Sequence, residues 1–376
     1  MTRNPPAGLD VERFMARHWQ RRPLLLRGAF ERFRDPLTPA QVLALAGSEA
    51  ASSRLVRRIG KRWTLEHGPF PSARFKQLPR RDWTVLVQDT NHFAPRAARL
   101  LERFDFISHA RIDDVMASYA APGGGVGPHV DSYDVFLLQG LGRRKWQISR
   151  QADHAFVPGL PLKVLARFVP DEEWVLEAGD MLYLPPGVAH HGVALSECLT
   201  WSIGFRAPGD AELVEGFLDY LRDRPPPRGQ YRDPGAAPTR RPAAIPEAMV
   251  AHAARAVAKI RWSEAELREY VGLHLSEVKA HVFFEPPPRP LAPARFAALA
   301  ASRGLDLDPR SRLLFSGRMF FINGERAAVP APARALARRL ADRRRLDAPL
   351  AAPAELLDVA YGWYLRGYLK LQGEET

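Results

Sequence analysis

The sequence predicts an α+β protein built around an antiparallel β-barrel or jelly roll. Between about residues 112 and 205, short apolar runs alternate with Gly- and Pro-rich turns, a rhythm typical of such folds. Helical patterns precede and follow this stretch, and the last segment combines a hairpin signal with two helices. The 376 residues suffice for two or three domains with a substantial core.

The region before the barrel carries signals for helices and strands. Asp10 and Thr38 are suited to cap helices, and Pro39 suits the first position of a helix. Short apolar runs between turn residues predict strands. The predicted elements are a helix from Asp10 to Trp19, a strand at Leu24–Leu26, a helix at Pro39–Ala46, a strand at Trp83–Gln88 and a helix at Pro95–Arg103.

Within the barrel, strands are predicted to follow one another across tight turns. Asp134–Gln139 and Lys145–Ile148 flank Gly140-Leu-Gly142, which is a hairpin signal. Glu173–Leu184 repeats the order of strand, turn and strand, and Leu199–Phe205 is a further apolar strand. We therefore expect antiparallel pairing along this stretch.

Two histidines and one aspartate in this region predict a metal site. His129 and Asp131 lie two residues apart, so their side chains would point to the same face of a strand. His190, on a later strand, would complete the set. Two imidazoles and one carboxylate that leave positions open are the ligands of non-haem Fe(II) oxygenases, and the lack of thiolate disfavours structural zinc.

Chance is the competing explanation for this pattern, since His-x-Asp pairs are common among surface and core residues. The surroundings favour the metal site: Gly123–Pro128 is rich in turn residues, and strands are predicted on both sides. His191 competes with His190 as a ligand. Adjacent residues of an extended segment face opposite ways, so we expect only one of the two to bind.

Several segments together carry a family resemblance, although each is weak by itself. They are His18–Leu26, Ser53–Val56, Trp83, Asn91-His92, Pro122–Ile148, Gly179–Gly192 and Ser202–Pro208. The chain resembles the JmjC-type cupin oxygenases. More closely, it resembles the bacterial ribosomal oxygenases that hydroxylate an arginine of a large-subunit ribosomal protein. The resemblance is dense over about residues 10–235 and weak beyond.

This resemblance implies a double-stranded β-helix, the jelly roll of cupin and JmjC proteins, with a helical dimerisation region and a C-terminal winged-helix-like domain. It also implies a dioxygenase that uses Fe(II), with 2-oxoglutarate and O2 as cosubstrates. The metal ligands carry over to His129, Asp131 and His190. The family places a ligand after Pro-Pro-Gly-x-x, which selects His190 over His191.

The distal carboxylate of 2-oxoglutarate requires a cation. Arg144 stands where the family places its basic anchor, and a guanidinium can grip a carboxylate with two parallel hydrogen bonds. If Trp146 faces inward, Arg144 shares its side of the strand and needs a buried anion. The alternative is a solvated charged turn. Ser118 and Ser202 are candidates for a second contact, and both could equally be hydroxyls bonded to the barrel backbone.

The expected substrate is the side chain of an arginine, hydroxylated at its β-carbon, in a large-subunit ribosomal protein. Tyr133, Asp134 and Tyr119 are the predicted substrate contacts because they lie close in sequence to the site. Two alternatives stay open: the same chemistry on protein histidine or another substrate, and a non-enzymatic nucleic-acid-binding protein. An intact triad with Arg144 disfavours a pure binder, which needs neither.

The composition fits a cytoplasmic enzyme. The 54 basic and 42 acidic residues give a net charge of +12, which could favour association with ribosomal RNA; direct nucleic-acid binding stays uncertain. Cys198 is the single cysteine and excludes an intrachain disulfide. We see neither a leader pattern at the start nor an apolar run long enough for a membrane span, so no membrane association is expected.

Three domains are predicted along the chain. They are an oxygenase domain at 1–210, a helical dimerisation region with linkers at 211–290 and a winged-helix-like domain at 291–376. Pro-rich segments at 225–246 and 285–290 read as connectors. Apolar residues at helical spacing between 246 and 284 would fit a protein core or a homodimer interface equally well. The resemblance favours the homodimer, because the family that the chain resembles is dimeric.

The last domain carries a β-ribbon signal. Ser311–Phe315 and Arg318–Ile322 predict a hairpin, and Asn323-Gly324 is a strong two-residue turn. Helices are predicted at about 332–345 and 353–366. This order is compatible with a winged helix, a fold that serves both DNA binding and protein docking, so the fold does not settle the role.

Overall fold

Two antiparallel sheets face each other and form the expected double-stranded β-helix. The computed structural model describes residues 4–60, 62–225 and 227–373; the predicted domain ends at 1–3 and 374–376, and Pro226 of the first connector, lie outside the described residues. The strands of this part are β1 (Leu24–Leu26), β2 (Ser53–Ile59), β3 (Arg62–His67), β4 (Trp83–Val87), β5 (Ile112–Ala120), β6 (His129–Val130), β7 (Asp134–Gln139), β8 (Arg144–Ser149), β9 (Glu172–Leu176), β10 (Met181–Leu184), β11 (Ala189–Ala194) and β12 (Cys198–Phe205).

The larger sheet has eight strands in the order β1-β10-β7-β12-β5-β4-β2-β3, and the smaller has four in the order β6-β11-β8-β9. From β5 to β12 the chain passes repeatedly from one sheet to the other, which is the winding of a double-stranded β-helix. The predicted barrel is therefore present, and strands from the N-terminal region extend its larger sheet at both edges.

The hairpin predicted around Gly140-Leu-Gly142 is wrong. β7 pairs with β10 and β12 in the larger sheet, whereas β8 pairs with β11 and β9 in the smaller. The turn therefore carries the chain across the barrel. A short Gly-rich loop between two apolar runs looks the same in either arrangement, so the local pattern could not decide between them.

Strand β7 at the centre of the larger sheet is buried on both faces. Val135 and Leu137 face the space between the sheets and cluster with Trp146 of β8. Phe136 joins the main core on the other face, where its ring packs 5.6 Å from that of Phe14. Burial on both faces explains why this strand is a continuous apolar run.

Helices of the N-terminal region cover the outer face of the larger sheet. The two predicted caps are confirmed: Asp10 accepts a hydrogen bond from the Arg13 amide (3.0 Å), and Thr38 forms a capping box with Gln41. No helix within the described ranges is long and apolar enough to cross a membrane. The first six helices are α1 (Val11–Arg17), α2 (Pro39–Ala46), α3 (Ser72–Lys76), α4 (Thr90–Phe93), α5 (Pro95–Leu101) and α6 (Asp210–Arg222).

The C-terminal part has its own core and two three-stranded sheets. Its elements are α7 (Glu247–Val257), α8 (Glu264–Ser276), α9 (Pro293–Arg303), β13 (Gly304–Leu307), β14 (Leu313–Ser316), β15 (Met319–Ile322), β16 (Glu325–Ala327), α10 (Arg334–Arg343), β17 (Arg345–Asp347), α11 (Ala354–Leu365) and β18 (Leu369–Leu371). The predicted hairpin is present as the pair β14 and β15. Helix α8 packs on the sheet formed by β14, β15 and β16. Gly272 permits this close contact between helix and sheet, because a Cβ at that position would lie 2.2 Å from the Phe321 ring.

Candidate active site

A cavity of about 410 Å³ lies between the two sheets. Apolar side chains such as Leu137 and Trp146 make up much of its wall. In such surroundings the few enclosed charged groups interact more strongly than they would in water. Chemistry in this cavity therefore depends on a small number of polar side chains.

The structure brings His129, Asp131 and His190 together in this cavity. The pairing of β6 with β11 places His190 directly opposite His129. Asp131 follows the end of β6, and its Oδ1 lies 3.9 Å from Nε2 of His129, while its Oδ2 lies 3.6 Å from Nε2 of His190. Ligand atoms of the three residues all lie within 4.8 Å of one another, a spacing that suits one metal ion.

Backbone carbonyls orient both imidazole rings. Nδ1 of His129 lies 3.0 Å from the carbonyl oxygen of Gly127, and Nδ1 of His190 lies 3.0 Å from that of Val188. A carbonyl only accepts, so each Nδ1 donates a hydrogen bond, and this fixes each ring with its Nε2 on the side of Asp131. Burial and the neighbouring His129 lower the pKa of His190 to about 4, so this ring is neutral at neutral pH.

The donor set fits Fe(II). Two imidazoles and one carboxylate converge from one side, and no other ligating group belongs to the cluster within the residues that the structure describes. A metal held in this way keeps coordination positions free for small molecules in the cavity.

His191 points away from this cluster. It follows His190 in β11, and its ring packs edge-on against Phe168, with the centroids 6.0 Å apart. Burial lowers the pKa of His191 to about 4 as well, so the two histidines differ in direction rather than in charge. Strand alternation thus separates them as expected.

Arg144 lies inside the same cavity. Only 4 % of its surface is exposed, and it shares the inward side of β8 with Trp146 and Ile148. Its Nη1 lies 3.4 Å from Oγ of Ser118, whereas neither Nε nor Nη2 finds a partner among residues 4–60, 62–225 and 227–373. A buried cation with two free N–H groups can receive a carboxylate in a bidentate manner.

Both predicted serines also line the cavity. Ser118 lies on β5 and Ser202 on the adjacent β12, and both side chains are buried. Of the two serines, Ser118 is the better placed to contact the same carboxylate as Arg144, because its hydroxyl lies next to the Arg144 guanidinium. The structure thus brings the three predicted cosubstrate contacts into one cavity with the triad.

Two of the three predicted substrate contacts lie elsewhere. Asp134 is fully buried, and its carboxylate accepts hydrogen bonds from Tyr183 (2.6 Å), Arg111 (3.0 Å) and Gln20 (3.0 Å). Its role is structural, since all these partners are internal. Tyr119 faces away from the cavity, and its hydroxyl donates to Glu197 (2.7 Å). Its neighbour Ser118 faces inward, so strand alternation turns Tyr119 outward.

Tyr133 does line the cavity. An unpredicted carboxylate, Asp114, lies near Tyr133, just behind the residues that line the cavity. Strand alternation places Asp114 on the same face of β5 as Met116 and Ser118, both of which line the cavity. A Cβ at Gly204 would lie 3.6 Å from Oδ1 of Asp114 and 3.8 Å from the Tyr133 ring. The signal that could have found Asp114 is the alternation of side chains along β5, in which Ser118, Met116 and Asp114 follow at intervals of two residues.

The N-terminal strands add cavity residues that the sequence reasoning also missed. Arg54 of β2 and Thr84 of β4 both line the cavity. Within the described part of the chain, Nε of Arg54 and the hydroxyl of Thr84 have no hydrogen-bond partner. Ser53–Val56 carried part of the family resemblance, but nothing in its pattern placed it at the site.

The fold and this cavity define a JmjC-type domain, and comparisons with known proteins agree. A family model described as "JmjC domain" matches residues 99–213, and one described as "ROXA-like winged helix" matches residues 259–370. The "Ribosomal protein uL16 3-hydroxylase" of Escherichia coli (strain K12) is 37 % identical over 322 residues, which cover 84 % of this chain and 85 % of the relative.

Solved structures extend the likeness to the full chain. An X-ray structure of E. coli ycfD has a TM-score of 0.86 at 32 % identity and covers 98 % of this chain and 100 % of its own. YcfD, described as a ribosomal oxygenase from E. coli in complex with cobalt and 2-oxoglutarate, has a TM-score of 0.83 at 32 % identity, covering 99 % and 100 %. The chain belongs to the family of JmjC-domain ribosomal oxygenases.

Proposed function

We propose that this enzyme is an Fe(II)- and 2-oxoglutarate-dependent oxygenase that hydroxylates the β-carbon of an arginine in a large-subunit ribosomal protein. One observation carries the proposal: a buried arginine, of which two nitrogens have no hydrogen-bond partner in the described part of the chain, shares a cavity with a convergent His-Asp-His cluster. The E. coli relative is named a ribosomal protein uL16 3-hydroxylase, and a solved relative holds cobalt and 2-oxoglutarate.

His129, Asp131 and His190 would hold the iron. Bound iron supplies O2 activation, by which one oxygen atom enters a C–H bond of the substrate while the other oxidises 2-oxoglutarate to succinate and CO2. The three side chains fix the position of the ion through orienting contacts to backbone carbonyls. Apolar walls around them limit the access of water to the reacting groups.

Arg144 would orient the cosubstrate. Its Nε and Nη2 would donate to the distal carboxylate of 2-oxoglutarate, with Ser118 and Ser202 as hydroxyl partners beside it. Fixing that end of the molecule places the opposite, keto-acid end relative to the triad. Orientation of this kind is the main contribution that the protein makes, because misplacement by ~1 Å can cost about a hundredfold in rate.

Asp114 and Tyr133 would receive the guanidinium of the substrate. A charged guanidinium in a largely apolar cavity needs an anionic acceptor, and Asp114 supplies a carboxylate next to the Tyr133 ring. Met116, between Asp114 and Ser118 on the same face of β5, would contact the aliphatic part of the side chain. These residues replace Asp134 and Tyr119 in the substrate site.

A ribosomal substrate implies a cytoplasmic location, and the net charge of +12 would favour approach to an RNA-rich surface. The enzyme would act as a homodimer through exposed apolar residues of the helical region; Val214 and Leu218 of α6 are 57 % and 59 % exposed. Within 211–290, α8 would belong to the C-terminal domain, since it packs on that sheet and the winged-helix match begins at residue 259.

Mass spectrometry of ribosomal proteins tests the function directly. Cells with the gene should carry one added oxygen atom on an arginine of a large-subunit protein, and cells without it should lack that change. In vitro, a peptide that spans the modified arginine should be hydroxylated. The same peptide with lysine in place of that arginine should react far more slowly, because lysine cannot reproduce the planar guanidinium with its paired N–H donors. Equal turnover of both peptides, or hydroxylation of histidine peptides alone, would refute the arginine assignment.

A further inference from the structure

One lysine from the C-terminal part lies among three carboxylates of the oxygenase domain. Nζ of Lys279, in the segment after α8, lies 2.8 Å from Oδ1 of Asp89, 3.1 Å from Oδ1 of Asp113 and 3.8 Å from Oδ2 of Asp114. Asp89 directly precedes α4, and the other two are the second and third residues of β5. The contact therefore links the C-terminal part to the strand that also carries Ser118.

These carboxylates are costly to keep charged without a cation. Asp89 is 2 % and Asp114 6 % exposed. Burial raises the pKa of Asp114 to about 7, and the attraction of Lys279 opposes that rise. Burial also works against the charge on Lys279, but the three carboxylates outweigh it and raise the pKa of the lysine. Lys279 is thus charged at neutral pH and favours the ionised form of Asp114.

The contacts also fix the direction of the Asp114 carboxylate. Its Oδ2 accepts a hydrogen bond from the backbone amide of Asp89 (3.0 Å) and lies on the side of Lys279. Its Oδ1 lies on the other side, 3.6 Å from the position of a Cβ at Gly204, next to Tyr133. One oxygen is thus held, and the other lies on the side of Tyr133, which lines the cavity.

We propose that Lys279 is a positioning residue for the substrate: it favours the ionised form of the Asp114 carboxylate and holds it turned toward the guanidinium of the arginine, without touching the substrate itself. The inference rests on the proposed function, and it gives the C-terminal part a direct influence on the oxygenase site. A lysine that served only to hold the two parts together would have no selective effect on peptide binding.

Steady-state kinetics with an arginine peptide test this role. Lys279→Met should raise KM for the peptide about tenfold, the effect of weakening one charge-assisted hydrogen bond, while kcat and KM for 2-oxoglutarate stay within about twofold. Lys279→Arg keeps the charge and should recover most of the lost affinity. If Lys279→Met does not fold, as judged by circular dichroism, Lys279→Gln takes its place, because it keeps a donor for Asp89 without the charge.

His281 supplies the matched control. It lies in the same segment and its Nε2 contacts the other oxygen of Asp89 (3.0 Å), but unlike Lys279 it forms no ion pair with Asp114. His281→Ala should leave KM for the peptide unchanged. An equal rise in His281→Ala, an unchanged KM in Lys279→Met, or a parallel loss of 2-oxoglutarate affinity would overturn the proposal. Failure of the proposed function would instead be seen in the wild-type enzyme, as the absence of arginine hydroxylation.

Discussion

His190 lies directly opposite His129 in the pairing of β11 with β6, and the centroids of the two imidazole rings are 4.2 Å apart. The register of one short strand pair thus makes neighbours of two residues that are distant in sequence. Because β6 contains only His129–Val130, the chain leaves the sheet at once and Asp131 is free to turn toward both rings. Any change of register here would dismantle the cluster, since a shift by one residue reverses every side chain.

His190→Ala should abolish iron binding and 2-oxoglutarate turnover, whereas His191→Ala should retain both. The two residues are adjacent, but only His190 directs its Nε2 toward Asp131, whereas His191 packs against Phe168. Iron content after anaerobic loading and succinate release would be measured, with circular dichroism to confirm the fold. The reverse result, activity lost in His191→Ala and kept in His190→Ala, would show that the ligand assignment is mistaken.

Arg144→Lys should raise KM for 2-oxoglutarate about ten- to hundredfold, because a hydrogen bond to a charged group contributes about 1.5–3 kcal/mol and lysine lacks the planar fork. The adjacent Arg143 is exposed, and Arg143→Lys is the matched control that should leave KM unchanged. The measurement is succinate formation against 2-oxoglutarate concentration. Equal effects of the two substitutions would mean that the cosubstrate binds elsewhere.

Affinity for the arginine peptide should rise as pH increases through about 7. Burial raises the pKa of Asp114 to about 7. Repulsion from Asp113 and Asp89 adds to this rise, and the attraction of Lys279 opposes it. Below this pH the carboxyl group is protonated and loses its attraction for a guanidinium, which stays charged throughout. Tyr133, which also faces Asp114, stays neutral because burial raises its pKa well above the ordinary value.

Fluorescence anisotropy with a labelled peptide would measure this dependence. Asp114→Asn should bind weakly and without the rise across neutral pH. Asp153→Asn, at an exposed aspartate of a surface loop, should behave as the wild type. A wild-type affinity that is flat across neutral pH would remove Asp114 from the substrate site.

Elements with local causes could be predicted from the sequence, and strand pairings could not. The caps at Asp10 and Thr38 and the hairpin around Ser316-Gly317 depend on residues a few positions apart, and all three are present. The sheet to which β8 belongs depends on partners such as β11, far away in the chain. The pattern of β8 is compatible with either sheet, so the predicted hairpin with β7 was wrong.

At the site, strand alternation explains both the successes and the failures. It turned Arg144 inward with Trp146, and it separated His190 from His191; Asp131 joins His129 as predicted, although it lies just beyond the end of β6. The same alternation, counted from Ser118, would have excluded Tyr119, which is adjacent and faces the other way. It would have selected Asp114, which lies four residues earlier and on the same face of β5. Proximity in sequence was the wrong criterion for substrate contacts, because adjacent residues of a strand face opposite ways.

The enzyme should be a homodimer in solution, and Val214→Glu with Leu218→Glu should make it a monomer. These two residues lie four positions apart on α6, so they share one face, and both are more than half exposed. Exposed Trp262 and Val257 lie in the same helical region, so the exposed apolar residues extend beyond α6, as the large interface of an obligate dimer requires.

Light scattering at micromolar concentration would measure the mass. Val169→Glu, at an exposed apolar residue of a loop in the oxygenase domain, is the matched control and should leave the dimer intact, because it adds the same charge outside the helical region. Charged side chains on α6 would have to be buried against a second copy, and this desolvation should separate the subunits. A wild-type enzyme that is monomeric at this concentration would contradict the prediction, and so would a double variant that stays dimeric.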